Sequence, residues 1–334
     1  MRRTTIRDVA SRAGVSYQTV SRVINNSRDV SETTRAQVWE AIQALGYHPN
    51  VQAIGLSRNR SDTIGMVAHD AGDPFYAQLI ASANRTVTDY GRFMIVIQTT
   101  KLDQMTAIER LIHSRRIDGL ILVLPLSLTL ERARELAESR LPVVLVDLQY
   151  EIDVDHVSVD NILGAFIATE HLIRHGHQRI GIIVGRNDIP VGQMRLDGYK
   201  QALQEYGIPF NEQLVHYGDF SFDSGQKGAE YFLGMASPPT AIFSCNDMMA
   251  FGLIATLGRH GMRVPDDMAV IGFDDLPQSA LFVPPLTTVR QPLREMAHTA
   301  AEHLCRILDG SISAPLRQVF KPELVIRRSC GTQH

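Results

Sequence analysis

The segment from Thr5 to Asn25 constrains this chain more than any other, because two short amphipathic runs meet there at a single glycine. Thr5 followed by Asp8 is a capping-box-like start, and Ile6, Val9, Ala10 and Ala13 recur at helical spacing on one side. Gly14 supplies the tight turn and Ser16 suits the cap of a second helix. Val20, Val23 and Ile24 give that helix an apolar face to lay on the first. A third run has Ser31 as its cap and Glu32 at its positive end. It buries Val38, Ala41, Ile42 and Leu45 at i, i+3, i+4 and i+7, and stops at Gly46. The pattern predicts an all-α helix-turn-helix head over residues 1–49.

Packing leaves Tyr17, Gln18, Ser21 and Arg22 of the second helix free, and each can hydrogen-bond a base edge or a phosphate. Glutamine offers a bidentate pair to adenine and arginine one to guanine. Charge points the same way. Residues 1–60 hold nine arginines, no lysine and four acids, a net +5, whereas the remaining residues carry a net −8. A basic head on an acidic body suits counterion release from DNA, and it implies affinity that falls steeply with salt. The alternative is a small three-helix domain with an ordinary solvated face.

After Pro49 and Asn50, residues 51–57 have helical propensity but are too few to hold a helix alone. Such a segment is expected to fold on contact with a partner, within a hinge and linker spanning 50–61. From about Asp62 the pattern changes to short apolar strands alternating with amphipathic helices, the mark of parallel βαβ units. Strands are expected at 63–68, 93–98, 119–124, 143–146, 180–184, 241–244 and 268–273. The body from 62 to 334 is too long for one typical core, so two α/β lobes are expected.

Other classes are disfavoured. There is no signal-peptide pattern and no apolar run near 18 residues, which points to a soluble, cytoplasmic protein. Cys245, Cys305 and Cys330 are too few and too scattered for a disulfide framework or a zinc site. His171, His175 and His177 lack a further ligand at sensible spacing and read better as a helix end entering a strand, so neither a metal nor a cofactor is expected. The sequence has no nucleophile elbow, phosphate loop or dinucleotide fingerprint. The pair Asp274 and Asp275 is a poor glycosidase, because adjacent carboxylates rarely flank one bond. An enzyme is therefore not expected.

In the head, Asp8-Val9-Ala10, Gly14-Val15-Ser16, Thr19 to Val23, Asn25, Thr33-Thr34-Arg35, Gly46-Tyr47 and Pro49-Asn50 stand in an order that resembles the lactose repressor (LacI/GalR) family of bacterial transcription regulators. The resemblance covers nearly the whole chain. It implies a DNA-contacting set of Thr5, Ser16, Tyr17, Gln18, Thr19, Ser21, Arg22 and Asn25, with Leu56 of a hinge helix wedged into the minor groove. Tyr17, Gln18 and Arg22 imply an operator half-site related to the lac type. Gly55 departs from the stronger helix formers often found in that hinge.

For the body, the resemblance implies a periplasmic-binding-protein-like core with crossings near 160–162, 289–292 and 320–323. Lobe 1 would hold about 62–160 and 291–320, and lobe 2 about 161–290 and 321–330. No leucine heptads follow Val325 to Arg328, so a homodimer on a pseudo-palindromic operator is expected. Open α/β sheets bind ligands beyond the carboxyl ends of their strands. Phe75, Arg195 and Phe220 there match family positions, Asp147, Asn246 and Asp274 stand just after strands, Gln291 sits at a crossing and Asp160 precedes a helix. Aromatic faces among Asp, Asn, Gln and Arg suit a polyhydroxylated effector, a sugar or sugar derivative, with release of DNA as the expected response.

Bland readings stand beside these. Asp247 is expected to cap the helix that begins at Met248, and Asp160 either contacts ligand or caps the helix that follows it. Arg195 is alternatively an inter-lobe ion-pair partner. Phe75 is preferred to Tyr76, and Asp274 to Asp275. Leu124-Pro125 stands where the lactose repressor has a polar pocket residue, which argues against assuming a galactoside.

Overall fold

The computed structural model describes residues 4–25, 27, 29–47, 60–99, 104–114, 116–123, 135, 141–149 and 153–331. The hinge with Leu56, and Leu124-Pro125, lie outside the described residues.

Three helices form the head, α1 (Ile6–Ala13), α2 (Tyr17–Ile24) and α3 (Glu32–Leu45). The local chemistry explains their ends. The Thr5 N–H and hydroxyl both donate to Asp8 Oδ2, at 2.8 and 2.7 Å. Thr19 N–H donates to Ser16 Oγ at 3.1 Å and Thr34 N–H to Ser31 Oγ at 3.3 Å. Gly14 and Gly46 close α1 and α3 with φ of 66° and 56°, in the left-handed region that glycine enters at little cost. Val9, Ala10, Val20, Val23, Val38, Ala41 and Ile42 form the buried centre.

The described residues of the body form two six-stranded sheets. The first lobe contains β1 (Thr63–Ala68), α4 (Pro74–Asp89), β2 (Phe93–Gln98), α5 (Gln104–Ser114), β3 (Gly119–Val123), β4 (Val143–Val146) and β5 (His156–Val159). The second contains α6 (Asn161–Arg174), β6 (Ile180–Val184), α7 (Pro190–Glu205), β7 (Val215–Tyr217), α8 (Phe222–Leu233), β8 (Ala241–Ser244), α9 (Asp247–Arg259), β9 (Ala269–Asp274) and β10 (Thr287–Arg290). The chain returns to the first lobe for α10 (Leu293–Leu308) and β11 (Arg317–Phe320), then crosses back for β12 (Glu323–Val325). The sheet orders are β11-β5-β4-β3-β1-β2 and β12-β10-β9-β8-β6-β7. Among the described residues every pairing is parallel except β10 with β12. This is the two-lobed α/β core the sequence predicts.

The inner strands β3, β4, β6, β8 and β9 are buried along their whole length, as parallel strands covered by helices on both faces must be. The chain passes between the sheets three times, at Asp160, at Gln291-Pro292 and at Lys321-Pro322. Two of these passages are tied together, since Asp160 N–H donates to the Phe320 carbonyl at 3.0 Å.

Glycines let α8 and α9 touch backbone to backbone. A Cβ on Gly225 would lie 2.0 Å from the Met249 carbonyl oxygen, and one on Gly252 would lie 2.0 Å from that of Phe222. Gly258, on the same helix as Gly252, has nothing within 4 Å. Gly252→Ala is therefore expected to destabilise by at least about 2 kcal/mol through overpacking against rigid backbone. Gly258→Ala should instead stabilise by about 0.5–1 kcal/mol through helix propensity. Urea unfolding of the two variants checks the opposite signs.

Candidate functional site

Helix α2 turns its apolar residues Val20 and Val23 inward and leaves Tyr17, Gln18 and Arg22 exposed on the other side, with Ser21 between them. Tyr17 is 54 % exposed, a large aromatic that solvent alone would not favour outside. The other head residues singled out from sequence are engaged in local hydrogen bonds. Ser16 Oγ and Thr19 Oγ1 share a hydrogen bond of 2.9 Å, Asn25 Nδ2 donates to Ser21 Oγ at 3.4 Å, and Thr5 holds Asp8. These bonds fix where α2 begins and ends, and so where Gln18 and Arg22 stand. Arg7, Arg12 and Arg22 are exposed basic groups on the same small head.

Between the lobes, strand ends from both sheets face a cavity lined by Asp73, Phe75, Tyr76, Asp147, Val191, Arg195, Phe220, Asn246 and Asp274. Six of the eight cleft residues singled out from sequence are thus brought together. Gln291 stands one bond behind, its Nε2 donating to Asp274 Oδ1 at 2.7 Å. Asp160 is not among the lining residues; it caps α6, accepting the Leu163 N–H at 2.9 Å on Oδ1.

Arg195, on α7 and only 3 % exposed, is the cation at the centre. Its Nε donates to Asn161 Oδ1 at 2.8 Å and its Nη1 to the Cys245 carbonyl. The guanidinium carbon lies 3.7 Å from the centre of the Phe273 ring, and Nη1 lies 3.9 Å from Asp274 Oδ1. All these partners belong to the second lobe, so its ion pair is made within that lobe rather than across the cleft.

Asn246 takes the capping role expected of Asp247 and still lines the cavity, while Asp247 does neither. Asn246 is the cap of α9, with Oδ1 accepting the Met249 N–H at 2.9 Å, while its Nδ2 donates to the Phe220 carbonyl at 2.9 Å. Asp247 is fully buried and accepts from Thr288 Oγ1 at 2.6 Å, Ser279 Oγ at 2.6 Å and Leu276 N–H at 2.8 Å. It ties α9 to β10 and to the turn after β9. A residue with three committed donors from distant segments has no reason to turn back and cap its own helix.

The two aromatic walls come from different lobes. Phe75 opens α4, where Asp73 caps the helix by accepting the Phe75 N–H at 2.8 Å and Pro74 occupies the first turn. Phe75 packs on the cores of both lobes, and Tyr76 beside it is buried within the first. Phe220 sits against Gly185, where a Cβ would lie 1.8 Å from the ring. Tyr76, ranked behind Phe75 from the sequence, lines the cleft as well, and Asp73 and Val191 are lining residues that the sequence did not single out. For Asp73 a capping aspartate before a proline was the available signal.

Burial dominates the charges. It pushes the Asp147 carboxyl up to about 6, against the pull of Arg195 and of Gln149, whose Nε2 donates to it at 2.6 Å. Asp274 is raised well above the carboxylate range for the same reason, again with Arg195 opposing. Asp73 is also raised by burial, its hydrogen bond from Phe75 opposing. Two carboxyls, Asp147 and Asp274, therefore share one guanidinium. His171, by contrast, lies away from the cleft, with Nε2 at 3.3 Å from Cys330 Sγ, and His175 Nδ1 is 2.7 Å from the His171 carbonyl. Among the described residues no three His, Cys, Asp or Glu cluster in a way that would hold a metal. No helix there is long and apolar enough to cross a membrane.

A helix-turn-helix head with an exposed polar helix face, followed by two lobes around a polar cleft, defines a ligand-responsive transcription regulator. Residues 5–50 match the family of bacterial regulatory proteins of the lacI type, and residues 169–330 match the periplasmic binding protein-like domain. The HTH-type transcriptional repressor PurR of Photobacterium profundum is 38 % identical, over 97 % of this chain and 98 % of its own. The structure of the Lac repressor dimer bound to operator and the anti-inducer ONPF superposes with a TM-score of 0.88 at 30 % identity, covering 98 % of this chain and 99 % of that one. A CelR–cellobiose complex superposes at 0.75 with 33 % identity, covering 98 % of this chain and all of that one. The chain belongs to the lacI family of bacterial regulatory proteins. It is a DNA-binding transcription regulator controlled by a small-molecule effector.

The charge balance generates a test that needs no ligand. In a carbon-detected titration of the aspartate carboxyls, Asp147 should titrate near 6, and Arg195→Gln should move it upward by at least about one unit, because the nearby cation favours the carboxylate. The sign for stability follows. A folded-state pKa above the unfolded value makes ionising Asp147 costly, so its contribution to stability declines as pH rises from about 4 through 6.

Proposed function

We propose that the chain is a homodimeric repressor that binds a pseudo-palindromic operator and releases it when a neutral polyhydroxylated effector, a sugar or sugar derivative, fills the cleft. The observation that carries the ligand class is the pairing of aromatic walls, Phe75 and Phe220, with Asp147, Asn246, Asp274 and a single Arg195. Carboxylates accept from hydroxyls, the guanidinium donates to them, and aromatic faces take the apolar face of a pyranose. An anionic ligand would meet an excess of carboxylates. The CelR complex holds cellobiose, which agrees with that chemistry.

For the DNA end, we assign Gln18 and Arg22 as base readers, Tyr17 and Ser21 as flanking contacts, and Thr5, Ser16, Thr19 and Asn25 as groups that meet phosphates or fix the helix. Residues 50–61, with Leu56, are assigned as the hinge between the head of 1–49 and the core of 62–334. Two heads on one operator need to stand about 34 Å apart, one turn of the double helix. Exposed apolar residues support a dimer: Phe93, Ile95 and Val96 lie on the edge strand β2, and Leu281 and Val283 lie in the second lobe. A second copy covering them would remove both a sheet edge and an apolar patch from water.

Fluorescence anisotropy on a lac-like palindrome with a central CG step, and on a scrambled duplex at one salt concentration, tests both ends. The palindrome should be preferred, and one member of a sugar panel should abolish the preference. Gln18→Ala should cost roughly 1–3 kcal/mol and relax base choice at one position of each half-site. Arg195→Ala should keep operator binding and lose the sugar response. Tighter DNA binding on adding that sugar would overturn the sign, and an unchanged response in Arg195→Ala would overturn the cleft assignment.

A further inference from the structure

A second, solvent-open cavity lies at the passage that joins β10 to α10. Two polar atoms on residues of its wall are buried without a hydrogen-bond partner among the described residues, Gln78 Nε2 and Gln291 Oε1. Gln291 is only 3 % exposed and already spends its Nε2 on Asp274 Oδ1 in the cleft. One side chain on the wall of the second cavity thus holds a lining residue of the effector cleft and keeps a buried, unused acceptor. Buried polar atoms of this kind are uncommon in folded proteins and call for a partner.

The wall is also electropositive. Arg290, Arg294 and Arg327 face Asp275 and Glu295. Both oxygens of Asp275 are occupied, by Arg290 Nε at 2.7 Å and Arg327 Nη2 at 2.6 Å, and each guanidinium retains further donors. The same cavity meets the start of α10, which no side chain among the described residues caps. The first hydrogen bond within that helix runs from Met296 N–H to the Pro292 carbonyl, so the amides of Arg294 and Glu295 sit at its positive end.

We propose that this cavity is a second, regulatory ligand site for a small oxyanion that carries a neighbouring hydroxyl, a phosphorylated or carboxylated polyol. The anion meets the first turn of α10 and the arginines, and the hydroxyl donates to Gln291 Oε1. Because Gln291 also holds Asp274, occupancy here alters the hydrogen bonding of the effector cleft. That link rests on the cleft reading above, whereas binding in the second cavity does not.

The experiment is calorimetry and hydrogen–deuterium exchange of the full chain with glycerol 3-phosphate and with glycerate, against inorganic phosphate and glycerol alone. Binding by at least one of the two compounds, with protection over residues 275–296, is expected. Arg294→Ala and Gln78→Leu should each weaken it by about fivefold or more, the scale of one charge-assisted contact. Phe220→Leu in the cleft should leave it unchanged. The proposal is overturned by no binding, by protection confined to peptides around Asp147 and Phe220, by affinity that survives both Arg294→Ala and Gln78→Leu, or by phosphate or glycerol alone binding equally well. The link is read separately, as a carboxyl chemical-shift change at Asp274 on adding the bound compound. It is lost in Gln291→Leu if correct, and its absence in the parent protein overturns the link. Failure of every sugar to bind the cleft would sink the effector reading and leave the exchange result intact.

Discussion

The cleft depends on one buried guanidinium. Among the described residues, Arg195 stands with Asp147, Asp274 and Asp73 as the only cation lining the cavity, and a charge so placed survives only if its hydrogen bonds are made. Asn161, the Cys245 carbonyl and the Phe273 ring meet that need, and they come from the start of α6, the end of β8 and the end of β9. The arginine therefore draws the carboxyl ends of the second sheet together at the wall of the cleft. Its residual field reaches Asp147 across the cleft and restrains a carboxyl that burial would otherwise push higher.

Backbone strain gathers at the same place. Among the described residues, the non-glycine positions with positive φ are Asp62, Asp147, Phe220, Asp274 and Asp275, and three of these line the cleft. Each such conformation costs of order 1–3 kcal/mol, so it persists only where surrounding contacts dictate it. Those contacts are visible: Asn246 Nδ2 holds the Phe220 carbonyl, Gln149 holds Asp147, and Gln291 holds Asp274. Groups aimed by strained backbone cannot relax toward one another, and so they remain available to a ligand.

Legibility from sequence followed locality. The head could be read almost residue by residue, because its caps, its turn and its apolar spacing lie within 3 or 4 positions of one another. The central strands announced themselves as unbroken apolar runs. Strands β5, β7, β10, β11 and β12 did not, since sequences such as His156–Val159 and Glu323–Val325 are short and mixed, and three of the five lie at sheet edges. In the cleft, the positions came from strand ends and from the family resemblance, and six of eight converge. The division of labour between Asn246 and Asp247 was not legible. It is decided by Thr288 and Ser279, residues about 30 to 40 positions away that offer Asp247 better partners than its own helix does.

The same non-locality explains how a cleft can govern a distant head on the proposed reading. Phe75 packs on both cores, and Asp147 and Asp274 stand on opposite lobes with a single arginine between them. Ligand hydroxyls bonded to both carboxyls would supply hydrogen-bond partners that Arg195 alone does not. Such a ligand favours the arrangement that brings the two within reach of it over one that holds them apart. A 1000-fold change in operator affinity needs about 4 kcal/mol of such preference, the equivalent of two or three charge-assisted hydrogen bonds made in one state only. The passages at Asp160, Gln291 and Lys321-Pro322 are the covalent routes for the lobes' relative motion, and Asp160 and Phe320 are hydrogen-bonded across two of them. A rotation of one lobe must therefore move these passages together, which makes the response a change between two arrangements and not a graded deformation.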